Sequence, residues 1–197
     1  GYVTHDDYPF GKDDGKLTIP TGSTRREYYL DVNQMTELYH VFIEKKYPED
    51  WDKDWREHAH ESLGLFLVQY LCNGFNLADA ARLVYDDHYF KSGKKSFRFI
   101  RKKTEDRSDT EIVIPIIEPL QKILDEIAAK PEKGALVFPQ IYAGETDENK
   151  QKARISQENQ NIRKRLGRLV KSMGWEVAPS GTWCRHSFAT NLSHAGG

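Results

Sequence analysis

Near its carboxyl end the chain reads Thr182-Trp183-Cys184-Arg185-His186-Ser187-Phe188-Ala189-Thr190. Arg185 is the residue there with the widest chemical reach. A guanidinium is a planar fork that donates two hydrogen bonds to a phosphodiester and neutralises charge that grows in a phosphoryl-transfer transition state. A helix is expected over roughly 186–194. At its start, Arg185 would act beside free backbone amides that also favour anions. Other constellations point to no chemistry. His58-Ala59-His60 lacks the i, i+4 spacing of a helical zinc pair, and no cysteine cluster joins it, so no metal is expected. Gly93 and Gly134 stand alone, which leaves no phosphate-cradling loop of the ATP-binding kind. Ser187 lacks the strand–turn–helix setting of a nucleophile elbow.

The elements that must position Arg185 belong to a chain of 197 residues, enough for one domain with a real core. The longest apolar run, Leu63 to Cys72, is broken by Gly64 and Gln69, so no membrane span is expected. Gly1 to Asp14 is acidic and polar, unlike a secretory leader. Cys72 and Cys184 read as buried thiols and not as a bridge. The formal net charge of −1 argues weakly against a nucleic-acid binder. The charge is uneven, however. Acidic residues crowd 6–14 and 44–61, whereas basic residues gather at 94–107 and 150–171. Local potential and counterion release, not net charge, set attraction to a polyanion. A solvated surface of mixed charge is the alternative reading.

Residues 1–24 carry Gly, Asp, Thr and two prolines without periodicity and read as a linker or extended arm, leaving 25–197 as the domain. Asp31 and Gln34 form a capping-box pattern, with Leu30 and Met35 as its hydrophobic staple. Met35, Leu38, Tyr39 and Phe42 continue that helix. A second helix is expected from Trp55 to Cys72, closed by Asn73-Gly74, and a short third one capped by Asn76. The period then changes. His88-Tyr89-Phe90, Phe97 to Arg101 and Glu111 to Ile116 read as three strands, the first two joined at Gly93. Pro119 suits the first turn of a helix carrying Leu120, Ile123, Leu124 and Ile127. Val137 and Phe138 read as an extended piece, and Ala143 to Arg154 as a polar loop. Ile162, Leu166, Leu169, Val170 and Met173 mark a long basic amphipathic helix.

The order and spacing of three segments resemble the catalytic domain of tyrosine recombinases, the phage-integrase family. Arg185-His186-Ser187-Phe188-Ala189-Thr190 is similar to the family's second-arginine box. Gly74-Phe75-Asn76-Leu77-Ala78-Asp79, then Leu83, is similar to its first box, with Asn76 where the family generally carries an arginine. That departure resembles integrases of Bacteroides-type mobile elements. Phe99 to Thr104 resembles the family's β-hairpin, in which a lysine directly precedes a threonine; Lys103 holds that place.

The resemblance implies an α+β fold, mainly helical, like a DNA breaking–rejoining catalytic domain with a small three-stranded antiparallel sheet. Arg185 would stabilise developing charge, and Lys103 would protonate the leaving 5′ oxygen. Arg101, on the same strand face as Lys103, would supply part of the charge missing at Asn76. Thr182 stands where the family carries a histidine; it donates one hydrogen bond but no titratable proton. His186 would support the fold around the arginine. Arg98, Lys102, Arg163, Lys164, Arg165 and Arg168 would hold DNA backbone phosphates.

The reaction implied is attack by a tyrosine on a DNA phosphate, giving a 3′-phosphotyrosine link that a partner strand's hydroxyl reverses. It needs no ATP, metal or other cofactor. The implied partners are duplex DNA at attachment sites, three further protomers and, in some systems, a host DNA-bending protein, in a bacterial cytoplasm beside the nucleoid. The family nucleophile follows the second-arginine box, yet the last of the ten tyrosines is Tyr142. Either the protein continues beyond Gly197 or it is a remnant. A noncatalytic DNA-binding module of the same fold is the main alternative, and a protein-interaction domain using the acidic helices is a third.

Overall fold

A computed structural model describes residues 28–101 and 110–195. The expected arm at 1–24 and the candidates Lys102 and Lys103 lie outside the described residues. The side chain of Arg101 is not described either.

One helix organises the rest. Helix α2 spans Lys53–Leu71, and its N-cap Asp52 accepts a hydrogen bond from the Trp55 amide at 2.8 Å. From Ser62 to Gln69 every residue of α2 is buried, whichever way its side chain points. Such a segment is the centre of a bundle and not a surface helix. Four helices accordingly pack around it: α1 (Val32–Glu44), α5 (Glu118–Ile127), α6 (Glu148–Ser172) and α7 (Gly181–Ala195). Gly64 is what lets α1 and α5 approach together. A Cβ there would lie 2.8 Å from Ile127 Cδ1 and 2.9 Å from Phe42 Cε2.

Local signals fix the element starts. Asp31 and Gln34 close the expected capping box on α1, and Leu38 and Phe42 bury its stripe. Helix α3 (Leu77–Arg82) begins at the cap Asn76, and α5 carries Pro119 in its first turn. Leu136 bridges Val84, and the Val137 amide donates to Leu83 O at 2.9 Å, so the short extended piece pairs with the end of α3.

Strands β1 (Ser96–Arg101) and β2 (Thr110–Pro115) form an antiparallel pair in register from Ser96↔Pro115 to Arg101↔Thr110. Phe97, Phe99 and Ile114 face the core, while Ile100 and Val113 are exposed. The expected third strand is absent from the described residues. His88-Tyr89-Phe90 instead belongs to helix α4 (Asp87–Lys91). Asp86 decides this by capping the turn, accepting from the Tyr89 amide at 2.9 Å. The turn stacks Tyr89 on Phe97, with ring centres 5.3 Å apart. Aromatic residues that read as strand are therefore a cap-led turn, and Gly93 (φ 70°) links α4 to β1 instead of joining two strands.

Two further expectations are corrected. Much of the loop expected over Ala143 to Arg154 is the first two turns of α6. Asp147 caps them through the Lys150 amide at 2.9 Å, and Lys152 pairs with Glu148 at 2.9 Å. These turns have little apolar surface to bury, so no hydrophobic period betrayed them. Helix α7 starts at Gly181, five residues before the expected start. No helix among the described residues is long and apolar enough to cross a membrane.

Candidate functional site

Helix α7 is held less by an apolar stripe than by buried polar contacts. The Ser187 hydroxyl accepts from the Leu30 amide at 2.8 Å, and the Asn191 amide donates to Leu30 O and to the Tyr70 hydroxyl, both at 3.1 Å. The Cys184 thiol donates to Phe66 O at 3.3 Å. These bonds tie α7 to the residues before α1 and to α2, and so fix the direction in which Arg185 leaves the helix. With α7 beginning at Gly181, Arg185 is not at the helix start, and its own amide lies inside the helix. The first-turn amides belong to Gly181, Thr182 and Trp183 instead, and that of Trp183 donates to Ser180 O at 2.9 Å.

Arg185 sits on the loop that follows α2. Gly74 adopts φ +69°, and a Cβ there would approach Arg185 Cα to 3.0 Å. Arg185 Nε donates to Gly74 O at 3.2 Å. One Nη faces Asp79 at 3.9 Å. The side chain remains about half exposed, at 51%.

Asp79 is the negative centre of this arrangement. It is only 2% exposed. Its amide donates to the Asn76 side chain at 2.7 Å, and its carboxylate accepts from the Asn76 amide at 3.2 Å, a complete capping box. Arg82 Nη2 reaches it at 3.1 Å. The capping role of Asn76 is thus occupied structurally, with its side-chain oxygen committed to the helix.

Beside Arg185 opens a cleft of about 750 Å³. Asn76, Thr182, Arg185, His186 and Arg163 all line it. They come from three separate segments of the chain, around 76, 163 and 182–186. Among the described residues that line the cleft there is no aspartate or glutamate; amides and hydroxyls supply most of the remaining polarity. Arg163 and Arg185 place two cations on its walls, with the buried Asp79 carboxylate 3.9 Å from Arg185. Gln69 and Asn159 frame the inner end against Gly181, where a Cβ would stand 3.1 Å from Asn159 Oδ1 and 3.3 Å from Gln69 Oε1. Sequence reading did not select these two amides. The signal for Gln69 was its presence inside the apolar run 63–72. Asn159 carried none.

The other basic candidates whose side chains are described are not brought to the cleft. Arg98 lines a neighbouring hollow and pairs with Asp86 at 3.2 Å and Glu111 at 4.0 Å. Arg165 turns inward, donating to the Ser62 hydroxyl at 3.0 Å and pairing with Glu158 at 3.4 Å. Lys164 and Arg168 lie over tryptophan rings. Arg168 is 5.0 Å from the Trp51 centroid and 4.8 Å from that of Trp55, and Lys164 is 5.7 Å from Trp55. The basic helix expected to hold phosphates as a unit therefore divides its cations. Arg163 faces the cleft, Arg165 the bundle, and Lys164 and Arg168 an aromatic shelf. Arg101 closes β1, two positions beyond Phe99, which contacts Phe75 with ring centres 4.7 Å apart. The hairpin end thus adjoins the loop carrying Asn76.

Neither cysteine offers a nucleophile. Both are free and fully buried. Burial pushes the Cys72 thiol up to about 12 and that of Cys184 well above its ordinary value. No group of histidine, cysteine, aspartate and glutamate among the described residues is arranged to hold a metal ion. Compared with family models, curated proteins and solved structures, the chain matches none.

Proposed function

We propose that this domain grips the phosphodiester backbone of duplex DNA in the Arg185 cleft, as the catalytic domain of a tyrosine-recombinase-type strand-exchange enzyme. One observation carries the reading. Arg185, Thr182 and His186 from the second-arginine box, Asn76 from the first box and Arg163 from the basic helix meet around one cleft, whose described lining residues include no carboxylate. A surface arginine of no consequence would have no reason to share a concave wall with these residues. In the reaction implied by the resemblance, Arg185 neutralises charge on the attacked phosphate, and Thr182 and the first-turn amides of α7 add neutral hydrogen bonds. Lys103 would serve as general acid to the leaving oxygen, with Arg101 beside it at the hairpin. No cofactor enters this scheme, and the strand-exchanging assembly would be a tetramer on DNA.

The noncatalytic module is the second reading. The engagement of Asn76 in a helix cap favours it, because a capping amide cannot replace a charged bidentate clamp. Two measurements decide. Duplex affinity should fall with salt, and Arg185→Ala should reduce the magnitude of the slope of log K against log salt by about 0.9. An unchanged slope would remove the phosphate-binding role. The full product of the gene is then challenged with a nicked duplex that traps cleavage. A covalent protein–DNA adduct supports the enzyme, whereas binding without an adduct supports the module.

A further inference from the structure

We propose that Arg82 is a second phosphate-contacting cation of the site, gripping a backbone phosphate beside the one held by Arg185. This rests on the duplex-DNA reading above and extends it to a residue outside the boxes that suggested that reading. The Asp79 carboxylate is buried, and two guanidiniums flank it: Arg82 Nη2 at 3.1 Å on Oδ1 and Arg185 Nη2 at 3.9 Å on Oδ2. A buried carboxylate needs one cation to offset its desolvation. Here two share it, so the trio keeps one net positive charge. Both arginines are about half exposed, at 49% and 51%, so each keeps donors facing solvent.

Position agrees with charge. Arg82 ends α3, the helix capped by Asn76 and carrying Asp79 in its first turn, and lines the hollow between α3 and the hairpin. The other arginine of that hollow, Arg98, is already compensated by Asp86 and Glu111. Arg82 instead shares its carboxylate with Arg185, and it is set between the Arg185 cleft and the β1–β2 hairpin. A polyanion presenting successive phosphates could engage both arginines, with Asp79 holding the two forks apart. Asn76, in contrast, contributes no charge. The missing cation of the first box is thus replaced from the last turn of the same short helix.

The test uses the whole chain, a blunt duplex and two readouts. The first is nitrogen-edited NMR of the arginine Nε–Hε signals, with Arg82 and Arg185 assigned through Arg82→Lys and Arg185→Lys. The second is the salt dependence of duplex affinity. Both Nε signals should shift on titration with duplex and return when salt is raised. Arg82→Ala should lower the magnitude of the log–log salt slope by about 0.9, while Arg82→Lys should keep it. An Arg82 that served only to neutralise Asp79 would show no Nε shift with DNA. If the Arg185 signal moves and that of Arg82 does not, the second contact is refuted while the DNA reading stands. If the duplex does not bind at low salt and neither signal moves, the DNA reading falls and takes this inference with it.

Discussion

Gly74→Ala tests how the site arginine is held. Gly74 has φ +69°, a conformation that costs an alanine roughly 1–2 kcal/mol. Its new Cβ would also meet Arg185 Cα at 3.0 Å, a backbone atom that no rotamer change can move aside. Overpacking of this kind adds about 1–3 kcal/mol. Gly93 is the matched control: its φ is +70° and nothing lies within 4 Å of a Cβ built there. Gly93→Ala should therefore cost only the backbone penalty, roughly 1–2 kcal/mol, and Gly74→Ala about 2–5 kcal/mol. Urea unfolding with m held equal measures both. The difference should also appear in function, because relieving the contact shifts Arg185 away from Gly74 O. Duplex affinity should then drop for Gly74→Ala and remain unchanged for Gly93→Ala. Equal unfolding costs and equal affinities in the two variants would refute the claim that this loop positions Arg185.

Three further outcomes are expected. Ser187→Ala leaves the buried Leu30 amide without its acceptor and should cost about 1–3 kcal/mol, whereas Ser193→Ala, at an exposed site, should be near neutral in the same unfolding assay. His60 is held below its ordinary value chiefly by burial, against the opposing pull of the Glu126 carboxylate; Lys45 lowers it further, and the Tyr47 hydroxyl bonds its Nδ1. A depressed histidine favours the folded state above its unfolded value of about 6.5, and that contribution is lost as pH falls toward the folded value. Wild-type stability should therefore fall more steeply than that of His60→Gln on acidification from neutrality to about pH 5, a window set by that reference value; parallel curves would disprove the assignment. The thiols of Cys72 and Cys184, fully buried and shifted upward, should react with a disulfide reagent only after denaturation, and labelling of the native protein would contradict the packing of α7 on α2.

Where the sequence was legible, a local rule and the tertiary structure agreed. The Asp31–Gln34 box, the Asn76 cap and Pro119 in the first turn of α5 each act within a few residues, so their spacing carries the whole signal. The stripe Ile162, Leu166, Leu169 and Val170 marked α6 for the same reason. It failed where two local signals compete. His88-Tyr89-Phe90 has strand-like composition, but the Asp86 cap and the Phe97 ring beneath Tyr89 stabilise a helical turn. The first turns of α6 and α7 have weak apolar patterns, and their extent depends on capping and on partners distant in the chain.

The candidate site divides along the same line. Residue types, spacing and the family resemblance they carry marked Arg185 as a candidate anion ligand, Asn76 as a helix cap, and the chain as a mainly helical domain with a small antiparallel sheet, which was expected to have three strands and has two among the described residues. They could not tell which cations are spent and which are free. Arg98, Arg163, Lys164, Arg165 and Arg168 look equivalent in the sequence, since each is a basic residue within a basic segment. Packing separated them, giving Arg98 to Asp86, Arg165 to Ser62 and Glu158, Arg168 to two indoles, and Arg163 to the cleft. The same packing set Arg82 and Arg185 on one buried carboxylate. Charge along a chain is local information, but the neutralisation of charge depends on what lies across the fold, and only the tertiary structure decides it.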